Sequence, residues 1–332
     1  MQDGVGQQQR DPGVWTRYWR GGSLHSCGQA FAGNYAGAIA QFWNGQFAQL
    51  ADTATVLDVG TGNGAIPRLA FDYAATHGKH WSIHGADLAQ IDPATTSNDA
   101  ARYAAITFHA NAPMASLPFD AASVDLLTSQ YALEYTDTAA SIREFARVLV
   151  PGGRLACVIH RADSVVLQAT QPQLDDCAFL FVDTRLHQRA RELGTYLARA
   201  TTQEMRTALA SDVGAERARA KVNESVSAIV ERIETSRIPG LLQTALAHVS
   251  EAFRNAHLWG ELKLREYFAW SEQALRDEEQ RLRDLKASAL DRAGIEALAA
   301  TCAAHGFDAV TLGELQHAPG MVMGWTLVAR RA

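Results

Sequence analysis

The segment Asp58-Val-Gly-Thr-Gly-Asn-Gly64 constrains the fold of this chain more than any other stretch. Residues 54–59 are apolar or β-branched at nearly every position, which predicts a buried strand. The three glycines after it allow positive φ and let the backbone approach a ligand with no Cβ in the way. Residues 65–77 have a helical pattern, with Pro67 in the first turn. An ordinary turn between strand and helix needs one glycine, so three in alternation indicate a binding loop at a helix N-terminus.

A second acidic residue follows about twenty residues beyond the glycine loop. Residues 80–87 predict a second strand that ends in Asp87. In doubly wound folds a carboxylate at the end of the second strand accepts hydrogen bonds from ribose hydroxyls, about twenty residues beyond the glycine loop. Capping of the following helix is the alternative role for Asp87. The pattern favours a doubly wound α/β fold that binds a ligand with ribose hydroxyls.

The glycine loop resembles motif I of the class I S-adenosylmethionine-dependent methyltransferases and differs from the dinucleotide pattern G-x-G-x-x-G. Later segments continue the resemblance in the family's order: Leu117-Pro-Phe-Asp120, the fourth strand 123–129, a helix and Pro-Gly-Gly turn in 142–155, a fifth strand to His160, and a final strand pair near 306–312 and 321–330. The resemblance implies a mostly parallel, seven-stranded Rossmann-like sheet and S-adenosylmethionine as cofactor.

The same resemblance implies which residues hold the cofactor. They are Asp58, Gly60, Thr61, Gly62, Gly64, Asp87, Leu88, Asn111, Ala112 and Ser129, with Tyr18 and Tyr35 from the N-terminal arm. The glycines are expected against the methionine portion and Asp87 on the ribose. Asn111 stands where the family usually has Asp, and its amide oxygen can accept from the adenine amino group. Tyr18 and Tyr35 are expected to contact the sulfonium by cation–π attraction, with plain packing as the alternative.

His160, Tyr131 and Glu134 are the candidate catalytic residues. Much of the acceleration of methyl transfer can come from aligning the two reactants. An oxygen or nitrogen acceptor can also need a general base, for which His is the usual side chain at neutral pH. His160 ends the fifth strand, whereas Tyr131 and Glu134 follow the fourth strand, where the resemblance implies the acceptor. A purely structural role remains the alternative for each of them.

Composition and motifs limit the classes of partner that this chain is expected to bind. The formal charge of −6 gives no electrostatic footprint for nucleic acid, and no Asn-Pro-Pro-Tyr motif of the amine-modifying DNA methylases follows the fourth strand. No apolar run is long enough for a membrane span. No cluster has metal-ligand spacing, so we expect no metal. Scattered cysteines (Cys27, Cys157, Cys177, Cys302) and a polar start over residues 1–10 predict reduced thiols and a cytoplasmic location.

The chain divides into three regions by pattern. Residues 1–50 predict a helical arm rich in aromatic residues, namely Trp15, Tyr18, Trp19, Phe31, Tyr35, Phe42 and Trp43. Residues 51–163 and 291–332 predict the α/β core. Residues 164–290 predict a helical insertion, far longer than the single helix that a strand crossover needs. We expect it to be a lid on the acceptor pocket, a homodimer surface, or both.

Methyl transfer to a small molecule, at O or N rather than C, is the favoured function. A nicotinamide-dependent oxidoreductase is a second class, although the wider glycine spacing and a Tyr-x-x-x-Lys pair are both absent from the sequence. A non-catalytic scaffold that binds the cofactor and offers the helical insertion to a partner is the third.

Overall fold

The computed structural model describes residues 12–26, 33–96 and 99–332. The start of the chain over residues 1–10, Cys27 and Phe31 lie outside the described residues. The described chain forms two compact units. The first extends to Leu167 and includes Leu285–Ala332, and the second is Gln168–Asp284.

The first unit is built on one seven-stranded sheet. Its strands are β1 (Thr53–Val59), β2 (His80–Ala86), β3 (Ile106–His109), β4 (Val124–Gln130), β5 (Leu149–His160), β6 (Phe307–Ala318) and β7 (Met321–Arg331). The order across the sheet is β3-β2-β1-β4-β5-β7-β6. Strands β1 to β5 are parallel, and β7 pairs antiparallel with both β5 and β6. The predicted doubly wound, mostly parallel fold is confirmed.

The helices follow the same chain order. Those before the second unit are α1 (Pro12–Arg20), α2 (Gly37–Phe47), α3 (Ala65–Thr76), α4 (Pro93–Thr96), α5 (Ala100–Tyr103), α6 (Thr138–Val148) and α7 (Val165–Gln168). The next are α8 (Thr170–Ala178), α9 (Leu186–Arg199), α10 (Gln203–Ala208), α11 (Val213–Thr235) and α12 (Gly240–Ser288), and α13 (Arg292–Ala304) leads back into the sheet.

Side chains alternate between the two faces of the sheet, as the pleat of a strand requires. On β5, Leu155, Cys157 and Ile159 pack into one core with residues of α6 and α13. Ala156 and Val158 on the same strand face a second core with residues of α2 and α3. Both faces are therefore covered, which explains the almost unbroken apolar runs of the central strands.

The Pro-Gly-Gly segment differs from its prediction. We expected it to separate helix from strand, but β5 begins before it, at Leu149. Val124 pairs with Leu149 and Leu126 pairs with Arg154, so the segment bulges out of the ladder. Gly152 takes a φ of 77°, which glycine adopts without steric cost.

The second unit is helical and has its own core. Ile229 of α11 and Leu242 and Val249 of α12 are buried there, as their helical spacing predicts. Gly260, at φ 69° and ψ 175°, interrupts α12. The predicted lid and dimer roles of this region stay predictions. In neither unit does a described helix have the length and apolarity needed to cross a membrane.

Phe145 on α6 is fully buried among the residues of the first core. Phe145→Ala should lower the free energy of unfolding by roughly 3–5 kcal/mol, because it removes apolar burial and leaves a cavity. Arg143→Ala, at an exposed position of the same helix, should change it by less than about 0.5 kcal/mol. Urea unfolding followed by tryptophan fluorescence measures both. Equal effects of the two substitutions would contradict this account of the core.

Candidate active site

The glycine loop follows β1 directly and adopts the predicted backbone. Gly60, Gly62 and Gly64 have φ values of 67°, 52° and 80°. Neighbouring atoms also fill the space that a side chain would need; a Cβ on Gly64 would lie 2.7 Å from the ring of Phe108. Each glycine is therefore required both by its backbone angle and by its surroundings.

Helix α1 lies against this loop. The ring of Trp19 occupies the place where a Cβ on Gly62 would be. The side-chain amide of Asn63 donates 2.8 Å hydrogen bonds to the carbonyls of Trp19 and Ser23. These contacts fix the end of the arm to the binding loop. The sequence did not predict that Trp19 and Asn63 join the arm to the loop. The available signal was an amide side chain inside the glycine loop, with tryptophans upstream.

Asp87 comes directly after β2 and is tied to the glycine loop. Its Oδ2 accepts from the Gly62 amide at 2.8 Å, and its Oδ1 accepts from the Ala89 amide at 2.8 Å. The Ala112 amide donates to the main-chain oxygen of Asp87 at 2.8 Å. Burial raises the pKa of the Asp87 carboxyl, against the lowering effect of its two amide donors. Three predicted cofactor residues (Gly62, Asp87 and Ala112) thus meet at one edge of the sheet.

Asp58 is buried beneath the loop and accepts a 2.7 Å hydrogen bond from the Thr128 hydroxyl. Burial raises its pKa to about 7, and the nearby Asp87 carboxylate acts in the same direction. Ser129 is fully buried, and its hydroxyl has no partner among the described residues. The Thr61 amide donates to Ala86 O at 3.1 Å, which places Thr61 within the same loop.

The predicted adenine side is more open. Leu88 is 51% exposed although it is a large apolar side chain. Asn111 takes a φ of 55°, and its side-chain amide donates to Gln90 Oε1 at 2.8 Å. That bond uses the nitrogen of the amide, so the predicted acceptor, its oxygen, is not consumed by it.

Tyr18 and Tyr35 meet around His25. The Tyr18 hydroxyl donates to the His25 carbonyl at 3.2 Å, and the Tyr35 ring stacks on the His25 ring at 4.2 Å between centroids. Tyr35 is buried in the core that contains α2 and α3. These contacts are packing contacts of the arm, and the role of both tyrosines at the sulfonium stays a prediction.

The structure brings His160 and Glu134 together as a buried pair. Glu134 Oε1 accepts from His160 Nδ1 at 2.7 Å and from the His160 amide at 2.8 Å. The Glu134 side chain is fully buried, and its Oε2 has no hydrogen-bond partner among the described residues. The His160 side chain keeps 7% of its surface exposed. A carboxylate that holds Nδ1–H leaves Nε2 as the basic nitrogen of the ring.

Two tyrosines enclose this histidine. The Tyr131 ring stacks on His160 with centroids 4.2 Å apart, and the Tyr135 ring meets it edge-on at 5.8 Å. The Tyr131 hydroxyl lies 3.4 Å from the Met323 carbonyl, to which it donates. Tyr131 also has a φ of 55°, an uncommon angle for a bulky residue and one often found at functional sites. The three predicted catalytic residues therefore form one cluster, in which Tyr131 supports the histidine ring.

A protein-family model for a methyltransferase domain matches residues 57–157, which contain β1 to most of β5. This segment is a class I methyltransferase domain. Its cofactor is S-adenosylmethionine. This match confirms the resemblance for the glycine loop and for the later segments up to residue 157.

A curated relative is the malonyl-[acyl-carrier protein] O-methyltransferase of Enterobacter lignolyticus, 31% identical over 114 residues. The match covers 34% of this chain and 41% of the relative, so it spans well under half of that protein. Two solved structures share part of their fold with this chain. The YcgJ protein of Bacillus subtilis (25% identity, TM-score 0.31) matches over 42% of this chain and 58% of its own. Geranyl diphosphate C-methyltransferase of Streptomyces coelicolor is 18% identical, with a TM-score of 0.35. The match covers 48% of this chain and 67% of that protein.

The residues present fit this cofactor. The glycine loop has no room for side chains, and the buried Asp87 carboxylate stands at the end of β2, where the ribose hydroxyls are predicted to bind. Within the part of the chain that the structure describes, no group of three or more His, Cys, Asp or Glu side chains is placed to hold a metal.

Asp87→Ala should weaken binding of S-adenosylmethionine about tenfold to a hundredfold, because a hydrogen bond to a charged group contributes roughly 1.5–3 kcal/mol. Isothermal titration calorimetry measures this, with circular dichroism to check folding. Asp120→Ala removes an exposed carboxylate before β4 and should leave affinity unchanged. An unaltered dissociation constant in folded Asp87→Ala would remove Asp87 from the cofactor site.

The raised pKa of Asp58 predicts that the stability of the folded chain depends on pH. Its pKa of about 7 in the folded chain lies above the ordinary 3.8, so the folded state binds more protons between these values. Stability should therefore fall as pH rises through this window, by roughly 4 kcal/mol at most. Asp58→Asn cannot ionise, so its stability relative to the native chain should increase from about pH 4 to pH 8. Urea unfolding at both pH values tests this; Asp120→Asn should show no such trend, and a flat Asp58→Asn difference would contradict the assignment.

Proposed function

We propose that this chain transfers the methyl group of S-adenosylmethionine to an oxygen or nitrogen atom of a small-molecule acceptor, with His160 as general base. The observation that supports the base is the buried hydrogen bond between His160 Nδ1 and Glu134 Oε1. It lies where β4 and β5 end, at the edge of the parallel strands where open α/β sheets bind ligands.

The proton balance follows from this pair. Glu134 accepts from Nδ1–H and so holds the ring in the tautomer whose Nε2 is unprotonated. When bound, the cofactor would supply a methyl group on a positively charged sulfur, and cleavage of that sulfur–carbon bond would leave S-adenosylhomocysteine as the neutral leaving group. As the acceptor oxygen or nitrogen forms its bond to that methyl, its proton passes to His160 Nε2. Glu134 then stabilises the resulting imidazolium from the other side of the ring.

Tyr131 and Tyr135 support the reaction by position. Stacking of Tyr131 against His160 prevents the ring from turning, and the bond of its hydroxyl to Met323 O anchors the tyrosine. A base that is enclosed by aromatic rings and held by a buried carboxylate has few orientations. Pre-alignment of this kind removes part of the entropic cost of bringing base and acceptor together.

The choice of acceptor rests on two further observations. The formal charge of −6 disfavours nucleic acid as substrate. The curated relative is named as an O-methyltransferase, which supports oxygen as the acceptor atom.

His160→Gln should lower methyl transfer about a hundredfold to ten-thousandfold, the usual contribution of a general base, while affinity for S-adenosylmethionine stays within about twofold. Glu134→Gln keeps an acceptor oxygen but removes the charge, so it should lower turnover less than His160→Gln does. Transfer of labelled methyl groups to a metabolite extract measures turnover, and calorimetry measures affinity.

His317→Gln is the matched control, since His317 is exposed on the same sheet and should leave turnover unchanged. Full turnover by folded His160→Gln would rule out His160 as the base. Cofactor binding by the native chain with no transfer to any acceptor pool would favour the non-catalytic scaffold.

A further inference from the structure

The second unit contains a cavity with an unusual lining. It has a volume of about 260 Å³ and is lined by residues that include Phe181, Arg185, His187, Arg191, Glu272 and Arg276. We call it the arginine cavity. None of these residues belongs to the methyl-transfer site described above.

The charges in the arginine cavity do not balance. Glu272 binds both Arg191 and Arg276 through its two carboxylate oxygens, with the Arg276 bond at 2.8 Å. Arg185 brings a third guanidinium. Three guanidinium groups against one carboxylate leave two positive charges in excess. A cavity with this excess attracts a dianion.

Arg185 is the free cation among them. Its Nε lies 3.4 Å from the Val182 carbonyl, and no carboxylate of the described residues pairs with its guanidinium. It follows a π-helical turn, Phe179–Thr184, and takes a φ of 50°. Both features are uncommon, and both are found preferentially at functional sites. The local backbone presents an arginine that the fold itself does not use in an ion pair.

His187 adds a buried polar side chain to the same cavity. It is 3% exposed, and its Nε2 lies 3.0 Å from the Ser271 hydroxyl, which also lies 3.0 Å from His248 Nδ1. Its Nδ1 is buried and has no hydrogen-bond partner among the described residues. When the Ser271 hydroxyl donates to Nε2, Nδ1 carries the proton and is free to donate to a ligand. A buried polar atom without a partner is costly, and a bound acceptor would remove that cost.

We propose that the arginine cavity binds the phosphate group of a small phosphorylated molecule. Guanidinium groups match phosphate oxygens in charge and in planar, paired geometry, and a phosphate monoester carries close to the two negative charges that the lining lacks. Arg185 and His187 supply the unused donors, whereas Glu272 keeps Arg191 and Arg276 in place. Stacking of Arg276 on Phe181, at 4.2 Å, restricts that guanidinium further.

A second cavity adjoins Arg185 and gives room for the rest of such a ligand. Its volume is about 420 Å³, and its lining includes Asp183, Arg189, Glu192 and Lys221. Lys221 is paired with Glu192, and Arg189 with Glu224. Its charges are therefore largely balanced, which suits the polar remainder of a phosphorylated molecule better than a second phosphate.

Calorimetric titration of the full chain with inorganic phosphate and with glycerol phosphate tests the proposal. Both should bind saturably, and acetate, a monoanion, should bind far more weakly. Arg185→Gln should weaken phosphate binding about tenfold to a hundredfold. Tighter binding of glycerol phosphate than of inorganic phosphate would identify a phosphate ester, and equal binding free phosphate, as the ligand chemistry.

Arg265→Gln is the matched control, because it removes an exposed arginine of α12 outside the arginine cavity and should leave the affinity unchanged. Arg185 is itself exposed, so its replacement should leave the helical circular dichroism and the melting temperature intact. His187→Asn is a second variant that keeps Arg185 and should also weaken binding. Absence of saturable phosphate binding by the native chain, or equal weakening by Arg185→Gln and Arg265→Gln, would overturn the proposal.

Discussion

The hydrogen bond from the Gly62 amide to the Asp87 carboxylate joins the ends of β1 and β2, and the predicted cofactor site depends on it. The bond requires Gly62 at a positive φ, and the next strand must end at the same edge of the sheet. A parallel sheet satisfies the second condition, since all its carboxyl ends lie together. The sheet order places β1 beside both β2 and β4, so the chain reverses direction across the sheet at β1, where such folds bind their ligands.

The same geometry explains how two residues twenty-six positions apart become a pair. Parallel pairing continues to Gln130 opposite Val158, and the Tyr131 amide then donates to the Val158 carbonyl. The positive φ of Tyr131 turns the chain at that point. A short 3₁₀ turn over Leu133–Tyr135 follows, and Glu134 there reaches both the ring and the amide of His160. The backbone bond to the amide makes the position of the carboxylate insensitive to rotation of the ring.

Sequence patterns predicted the strands well, because burial on both faces requires almost continuous runs of apolar residues in β1, β4 and β5. The glycine loop was readable because positive φ restricts residue choice so strongly. The pairing of Glu134 with His160, the bond of Asn63 to helix α1 and the arginine cavity were not predicted. Each depends on side chains that the register of strands or the packing of helices brings together. The spacing of residues along the sequence does not give those distances.

The charged groups of the two units differ in sign, so the two units favour ligands of opposite charge. Burial raises the pKa of both Asp58 and Asp87, and the Asp87 carboxylate raises the pKa of Asp58 further. A cation at that edge would relieve this cost by stabilising the charged carboxylates, and an anion would increase it. The sulfonium of S-adenosylmethionine is such a cation. The arginine cavity has the opposite sign, with two guanidinium groups already sharing one carboxylate. The proposed phosphate ligand therefore matches the charge of the arginine cavity and not the charge beside the glycine loop.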